Sequence, residues 1–404
     1  MLDQPPLQLA PRVSRLRRSP TAAISQRVAE LAAQGRSVTN LGEGELDFDT
    51  PQFIREAAHA AIESGQTKYT AVSGTPALKD AIVRKFADDN GLTYRTDEVI
   101  AGAGAKPLIL NALMATVSEG DEVIIPAPYW VSYPDMVSLC GGTPVIVECA
   151  RDTFLLSPDA LEAAITERTC WLILNSPNNP SGALYSREAL AALGEVLLRH
   201  PHVLVLCDDI YEHLVYGNGV FATLPEVVPA LKDRCLVVNG VSKAYSMTGW
   251  RLGYAAGPRT LIAAMDTLQS QSTTNASSIS QAAAVAALSE TRSFLGDWMA
   301  RLTERRAIVL DAISRTRGLS ADPPGAAFYV YASCAGLIGC KTPDGRELAN
   351  DLDVATYLLD EAGVGVVHGA AFGMSPYLRI AFAVETATLK RAMDAIQSAC
   401  AKLV

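Results

Sequence analysis

The chain has 404 residues, 49% of them apolar and 19% charged, which excludes a disordered chain and allows two domains with cores that need no disulfide or metal staple. Its 34 lysines and arginines against 43 acids leave a net charge of −9, so the basic footprint of a nucleic-acid binder is missing, a balance that still leaves room for local cationic pockets holding small anions. Eight scattered cysteines form no CxxC pair or metal-ligand spacing, the first twenty residues hold no apolar signal core, and no run of about 18 apolar residues occurs; a soluble cytoplasmic protein with free thiols and no metal is expected.

In chain order, residues 21–36 predict a helix ending at Gly35, and NLGEGELDFDTP reads as an irregular loop. Helical runs follow near 51–64 and 76–89. Then short runs rich in Val, Ile and Leu alternate with amphipathic stretches. Segments 121–126, 143–148, 169–175, 202–209 and 234–240 read as strands buried on both faces, and 187–200 as a helix between two of them. This alternation predicts a mostly parallel sheet covered by helices, an α/β class. A helix near 292–316, a strand at 328–332, a helix near 351–362 and a strand at 378–383 suggest a smaller α+β unit. Ligand groups in such sheets gather at the carboxyl ends of the strands.

Several residues at those ends carry chemistry. Lys243 lies in a turn after a strand in VVNGVSKAYSMTGWRLGYAAG, where lost hydration would lower its proton affinity and make it a nucleophilic amine. Ser242 precedes it, and Arg251 could pair with a phosphate at the same sheet edge. Asp208 and Asp209 end HVLVLCDD; they either cap a helix over IYEHLVY or present an anion to a ring nitrogen, with Tyr211 in reach of the same ring. Asn179, in the rigid turn NSPNNPSG, can donate to a phenolate oxygen or simply hold the turn. In VIAGAGAKPLILNALMAT, Gly104, Ala105 and Lys106 open a helix where a phosphate would sit, or form a plain tight turn. Trp130 in APYWVSY is core or stacks on a flat ring. Together these supply an amine, an acid, an oxygen donor, a stacker and a phosphate cradle, the requirements of pyridoxal phosphate.

The motifs DFDTP, TKYT, PYWVSYP, NSPNNPSG, DDIYEHLVY, NGVSKAYSMTGWRLGYAAGP, GAAFYVY and LRIAFA, in that order, resemble the fold-type I pyridoxal-phosphate aminotransferases of class I/II, nearest the bacterial Ib aspartate branch. The resemblance implies a large cofactor domain over 50–292 with a mostly parallel seven-stranded sheet between helices, and a small domain built from 1–49 and 293–404. It implies Lys243 as the Schiff-base lysine and proton shuttle, Asp208 on the pyridine nitrogen, Asn179 and Tyr211 on the phenolic oxygen, and Trp130 stacked on the ring. Gly104, Ala105, Lys106, Ser242 and Arg251 would surround the phosphate, with Tyr69 reaching that of the neighbouring subunit in a homodimer. Arg379 would grip the substrate α-carboxylate, assisted by Asn179 and the Gly44 backbone, while Lys106, Ser19 and Thr21 would meet a distal carboxylate. The implied reaction exchanges an amino acid, aspartate first, with a 2-oxo acid, 2-oxoglutarate first, by a ping-pong route through pyridoxamine phosphate.

The chain departs from the relatives' pattern at three places. Leu46 replaces the proline of GEPDFDTP, GAKP replaces GGKQ through Ala105 and Pro107, and Gly240 stands where many relatives carry a phosphate-binding serine. The first two bear on substrate choice. Alternatives are a prephenate, aromatic or broad-range aminotransferase, a lyase on the same scaffold, and a non-catalytic sensing module of a regulator. The last lacks a preceding DNA-binding domain, and its basic run RLRR is short. No membrane or nucleic-acid partner is expected.

Overall fold

The computed structural model describes residues 7–16 and 19–404. Residues 1–6, which open the expected small domain, and Arg17 and Arg18 of the RLRR run lie outside the described residues.

Seven strands form the central sheet: β1 (Val99–Gly102), β2 (Glu122–Ala127), β3 (Thr143–Glu148), β4 (Thr169–Asn175), β5 (Leu204–Asp208), β6 (Cys235–Gly240) and β7 (Gly253–Ala256). Their order is β1-β7-β6-β5-β4-β2-β3, and only β7 runs against its neighbours. The central strands are buried on both faces because successive side chains enter different cores. Trp171 and Ile173 of β4 pack with Leu108, Ile109 and Met265 on one side, while Leu172 and Leu174 pack with Leu78, Ile82 and Phe86 on the other. The expected class, α/β with a mostly parallel sheet between helices, is the one observed.

Strand β3 corrects one expectation. It spans the residues read from the sequence, but it is the sheet edge with one neighbour, and Ile146 is 42% exposed. A run of β-branched residues states strand propensity and not whether a second strand will pair. A second correction falls after Asp208: IYEHLVY forms a turn and no helix, so the pair of aspartates does not cap one.

Beyond the central sheet, β8 (Tyr329–Ser333), β9 (Val367–His368) and β10 (Tyr377–Ala381) make a three-stranded antiparallel sheet. It packs against the helices Phe294–Arg315 and Thr386–Ala401 through Leu302, Val309, Val330, Ile380, Leu389 and Ile396. Leu41 and Leu46 of the N-terminal loop belong to the same core, so Leu46, the departure from proline, is packed inward. Two bonds from the Arg305 guanidinium to Asp47, 2.7 and 2.9 Å, fasten that loop to the long helix. The predicted helix near 351–362 is α-helical over Asp351–Tyr357 and widens into a π-turn over Leu358–Ala362. Among the described residues, no helix is long and apolar enough to cross a membrane.

Candidate active site

The parallel register brings Asn175 beside Asp208 and Asp208 beside Val238 at the carboxyl ends of β4, β5 and β6. The chain leaves β6 at Gly240 and turns through Ser242 and Lys243, and it leaves β2 toward Trp130. These ends face Arg379 of β10 across a cavity of about 430 Å³, lined also by Gly44, Ala105, Lys106 and Asn179.

Lys243 is enclosed by side chains yet open to the cavity. Its Nζ donates to the Gly44 carbonyl at 2.6 Å. A Cβ at Gly44 would lie 2.7 Å from the Tyr329 hydroxyl, so glycine is what lets this backbone come so close. Burial, then the Arg379 charge, lowers the lysine to about 8, with Glu45 opposing.

Asp208 is 5% exposed. Tyr133 Oη donates to its Oδ2 at 2.6 Å, and its buried Oδ1 has no partner. Burial raises this carboxyl to about 6, against the pull of the Tyr133 hydrogen bond. Asn175 braces the corner from below: its Nδ2 donates to the Asp208 carbonyl at 2.8 Å and its Oδ1 accepts from the Asn179 N–H at 2.9 Å.

Arg379 is 2% exposed. It donates to Asn179 Oδ1 at 2.8 Å and to the Gly42 carbonyl at 2.5 Å, and lies over the rings of Tyr329 and Phe372. Its bonds go to an amide and a backbone carbonyl, not to a carboxylate, and its Nε has no partner. With the Asn179 oxygen taken by Arg379, the amide keeps its NH₂ for an acceptor oxygen. Tyr211 and Tyr329 share a hydrogen bond of 2.9 Å, and burial holds the Tyr211 phenol well above its ordinary range.

At the other end of the cavity, Gly104 precedes the helix Ala105–Thr116 at φ +104°, and a Cβ there would meet the Arg251 guanidinium at 2.8 Å. Arg251 itself is left-handed at φ +53°, a conformation non-glycine residues hold only where surroundings enforce it. Lys106 Nζ sits 4.7 Å from the Trp130 ring centre; burial, then the nearby Arg251, lowers its proton affinity. A Cβ at Gly240 would come within 3.2 Å of Gly253 Cα, so a side chain there would press on the neighbouring strand.

The sequence candidates Ala105, Lys106, Trp130, Asn179, Asp208, Tyr211, Ser242, Lys243, Arg251, Arg379, Gly44 and Thr21 thus line one cavity. Gly104 stands just behind it. Ser19 is set back and bonds the Thr21 hydroxyl at 2.8 Å. Tyr69 is 90% exposed and away from the cavity. Sequence reasoning missed Tyr133, Asn175 and Tyr329. Asn175 was accessible to the strand-end rule, and Tyr133 follows Trp130 by three residues. Nothing in the local sequence singled out Tyr329.

These residues fit pyridoxal phosphate. The unpartnered Asp208 oxygen suits a protonated ring nitrogen, the flat Trp130 a ring face, and the Gly104–Lys106 helix start with Arg251 a phosphate. Elsewhere, Asp89, Glu212 and His213 bring potential metal ligands within 4.8 Å, but Lys85 occupies Glu212 and Arg292 occupies Asp89.

Comparison with known proteins agrees. A family model described as aminotransferase class I and II matches residues 36–396. The chain is 50% identical to an aspartate aminotransferase of Rhizobium meliloti strain 1021 over 98% of this chain and 97% of that protein. It is 52% identical to an aspartate/prephenate aminotransferase of Cereibacter sphaeroides over 98% and 99%. The crystal structure of the Rhizobium meliloti aspartate aminotransferase superposes with a TM-score of 0.96 at 50% identity, covering 98% of this chain and all of that one. The Thermus thermophilus aspartate aminotransferase with maleate gives 0.91 at 37%, covering 97% and 100%. The chain belongs to the class I and II aminotransferases, the family whose cofactor is pyridoxal phosphate.

Proposed function

We propose that the protein exchanges the amino group of aspartate with 2-oxoglutarate in a ping-pong cycle. The observation that carries this reading is the meeting, in one cavity, of a lysine amine with lowered proton affinity, an open buried carboxylate oxygen and a buried guanidinium that lacks a carboxylate. Bound pyridoxal phosphate supplies an electron sink for negative charge at the substrate Cα.

In this reading Lys243 anchors the cofactor and moves the proton taken from Cα, a task suited to an amine that gives up its proton near neutral pH. Asp208 holds the proton of the ring nitrogen. Asn179 and Tyr211 orient the ring oxygen, and Trp130 covers a face. Gly104, Ala105, Lys106, Ser242 and Arg251 hold the phosphate. Arg379 takes the α-carboxylate with Asn179 and the Gly44 backbone, which fixes Cα relative to Lys243. Lys106, with Ser19 and Thr21, meets the distal carboxylate.

Residues 50–292 act as the cofactor domain, and 1–49 with 293–404 as a unit that closes on substrate and excludes water. The protein works as a C2 homodimer in which Tyr69 serves the neighbouring site. Its eight free cysteines accord with the cytoplasm. A second acceptor, prephenate, is favoured by the 52% identity to the Cereibacter sphaeroides protein.

A panel of amino donors, followed by half-reaction spectra and then by 2-oxoglutarate and prephenate as acceptors, tests this. Aspartate should bleach the cofactor's visible band fastest, and 2-oxoglutarate should restore it. A faster reaction with aromatic donors, or release of ammonia without an acceptor, overturns the assignment.

A further inference from the structure

The Asp208 carboxylate has two oxygens in unequal surroundings. Oδ2 accepts from Tyr133 at 2.6 Å, and Oδ1, buried beside the cavity, has no partner. Tyr133 comes from another part of the chain: it opens the helix Tyr133–Leu139 after β2, while Asp208 ends β5. Tyr133 is 1% exposed, and its ring meets Trp130 edge-on at 5.3 Å. One residue therefore touches both the stacking indole and the buried acid. A carboxylate attached to the backbone only through rotatable bonds can turn about its terminal torsion. The Tyr133 hydrogen bond, with Asn175 holding the Asp208 carbonyl, leaves Oδ1 as the oxygen without a partner on a residue that lines the cavity.

We propose that Tyr133 is a positioning residue for this reaction: its hydroxyl orients Asp208 so that Oδ1 faces the cofactor ring nitrogen, and by stabilising the carboxylate it keeps the shared proton on nitrogen. The proposal rests on the reading that pyridoxal phosphate occupies the cavity. Its chemistry follows from the balance within the Asp208–nitrogen contact. One proton lies between two bases. A hydrogen bond to the far carboxylate oxygen makes the carboxylate the weaker base and sends the proton to nitrogen, where it makes the ring an electron sink. Without that bond the proton moves toward Oδ1, the pair becomes neutral, and the ring withdraws electrons less well. Tyr133 touches no reacting atom in this scheme; it acts through Asp208.

The test is to reconstitute wild type, Tyr133→Phe and Tyr133→His with pyridoxal phosphate carrying nitrogen-15 in the ring. The ring nitrogen resonance is recorded at fixed pH, and cofactor affinity is measured by visible absorbance. In wild type the nitrogen should resonate as protonated. In Tyr133→Phe it should move toward the unprotonated position, with the dissociation constant raised roughly tenfold, as expected for one lost charge-assisted hydrogen bond. Tyr133→His keeps an N–H donor and should restore much of the shift. An unmoved resonance in Tyr133→Phe, with affinity within about twofold of wild type, overturns the proposal and leaves Tyr133 a packing residue. Should Tyr133→Phe not fold, 3-fluorotyrosine placed at 133, a stronger donor, should move the nitrogen further toward protonation, and no movement overturns the proposal equally. Failure of wild type to bind the cofactor overturns the underlying reading instead, and separates the two.

Discussion

Asp208 and Glu212 flank one turn, both carboxylates are buried, and their surroundings are opposite. Glu212 is saturated. Lys85 closes on its Oε1, Asn239 donates to the same oxygen at 2.8 Å, and Asn90 donates to Oε2 at 2.8 Å while accepting from Lys85 at 2.7 Å. Despite burial, the Lys85 and His213 charges hold Glu212 down at about 2. Asp208 accepts one side-chain hydrogen bond, from Tyr133, and its Oδ1 is left unpartnered; burial raises the carboxyl to about 6 although Tyr133 and the Ile210 N–H pull the other way. Folded proteins satisfy buried polar groups almost without exception. Unpartnered buried atoms occur elsewhere too, Asp209 Oδ2 among them, but Asp208 and Arg379 line the cavity, where a ligand can complete them. Glu212 in turn steadies the Asp208 side of the site, since it ties the helix Pro76–Asn90 to the Asp208–Tyr211 turn and to Asn239, four residues before Lys243.

The largest expected effect lies on the open side. Lys243→Ala should lower transamination by ~10⁴-fold or more and remove the cofactor's visible band in the bound state. Steady-state rates and absorbance spectra check this, and turnover near that of wild type would remove Lys243 from the chemistry. On the saturated side, Glu212→Ala takes away the nearest counter-charge of the buried Lys85 ammonium and should cost about 3–5 kcal/mol of stability, read as a lower urea midpoint. A loss below about 1 kcal/mol, the range of exposed pairs, would mean the cluster does not brace the turn.

The contrast also has a pH signature in protein freed of cofactor. Folding raises Asp208 from 3.8 to about 6, so the folded state binds that proton more tightly. Asp208 therefore costs nothing below about 4 and makes the fold progressively less stable as pH rises toward about 6. Glu212, depressed from 4.5 to about 2, runs the other way: its stabilisation is complete above about 4.5 and is lost as pH falls toward 2. Asp208→Asn should abolish the first slope, a change on the order of 2–3 kcal/mol in relative stability between pH 4 and 7, measured by urea unfolding across that range. Parallel pH profiles for the two proteins would place the cost of burial elsewhere.

The legibility of these two sides in the sequence differed for a physical reason. Strands β3 and β4 match the segments read from the sequence because a run such as TCWLILN states its own propensity. Lys243, Asp208, Asn179 and Trp130 stood out because the sheet topology sends ligand groups to strand ends, a rule that needs no knowledge of partners. The exposure of β3, the antiparallel insertion of β7, the Tyr133–Asp208 bond and the Glu212 cluster depend on which distant segments meet. Local periodicity carries no information on that. Leu46 reads as a lost proline in the sequence, and in the fold it is a core residue packed with Leu41. Arg379 lies on a different sheet from Lys243, and Tyr69 outside the cavity altogether, so both were reached through the resemblance and neither through pattern.

Tyr69 gives the smallest expected effect and sharpens the contrast between groups one chain brings together and groups it leaves outside. Its side chain is 90% exposed beside Lys68 and Ser278, where a lone chain gives it nothing to do. If it serves a neighbour's phosphate, Tyr69→Phe should weaken cofactor binding roughly tenfold, the worth of one hydrogen bond to a charged group, without lowering the urea midpoint. A merely exposed tyrosine should show no change in either. Mixed dimers separate the two accounts. Lys243→Ala chains retain Tyr69 but cannot anchor the cofactor, and Tyr69→Phe chains retain the lysine. In a mixed dimer one site combines Lys243 with the other chain's Tyr69, so that site should regain wild-type affinity. No recovery in the mixed species would mean that Tyr69 acts within its own chain or not at all, and the shared-site dimer would lose its main support.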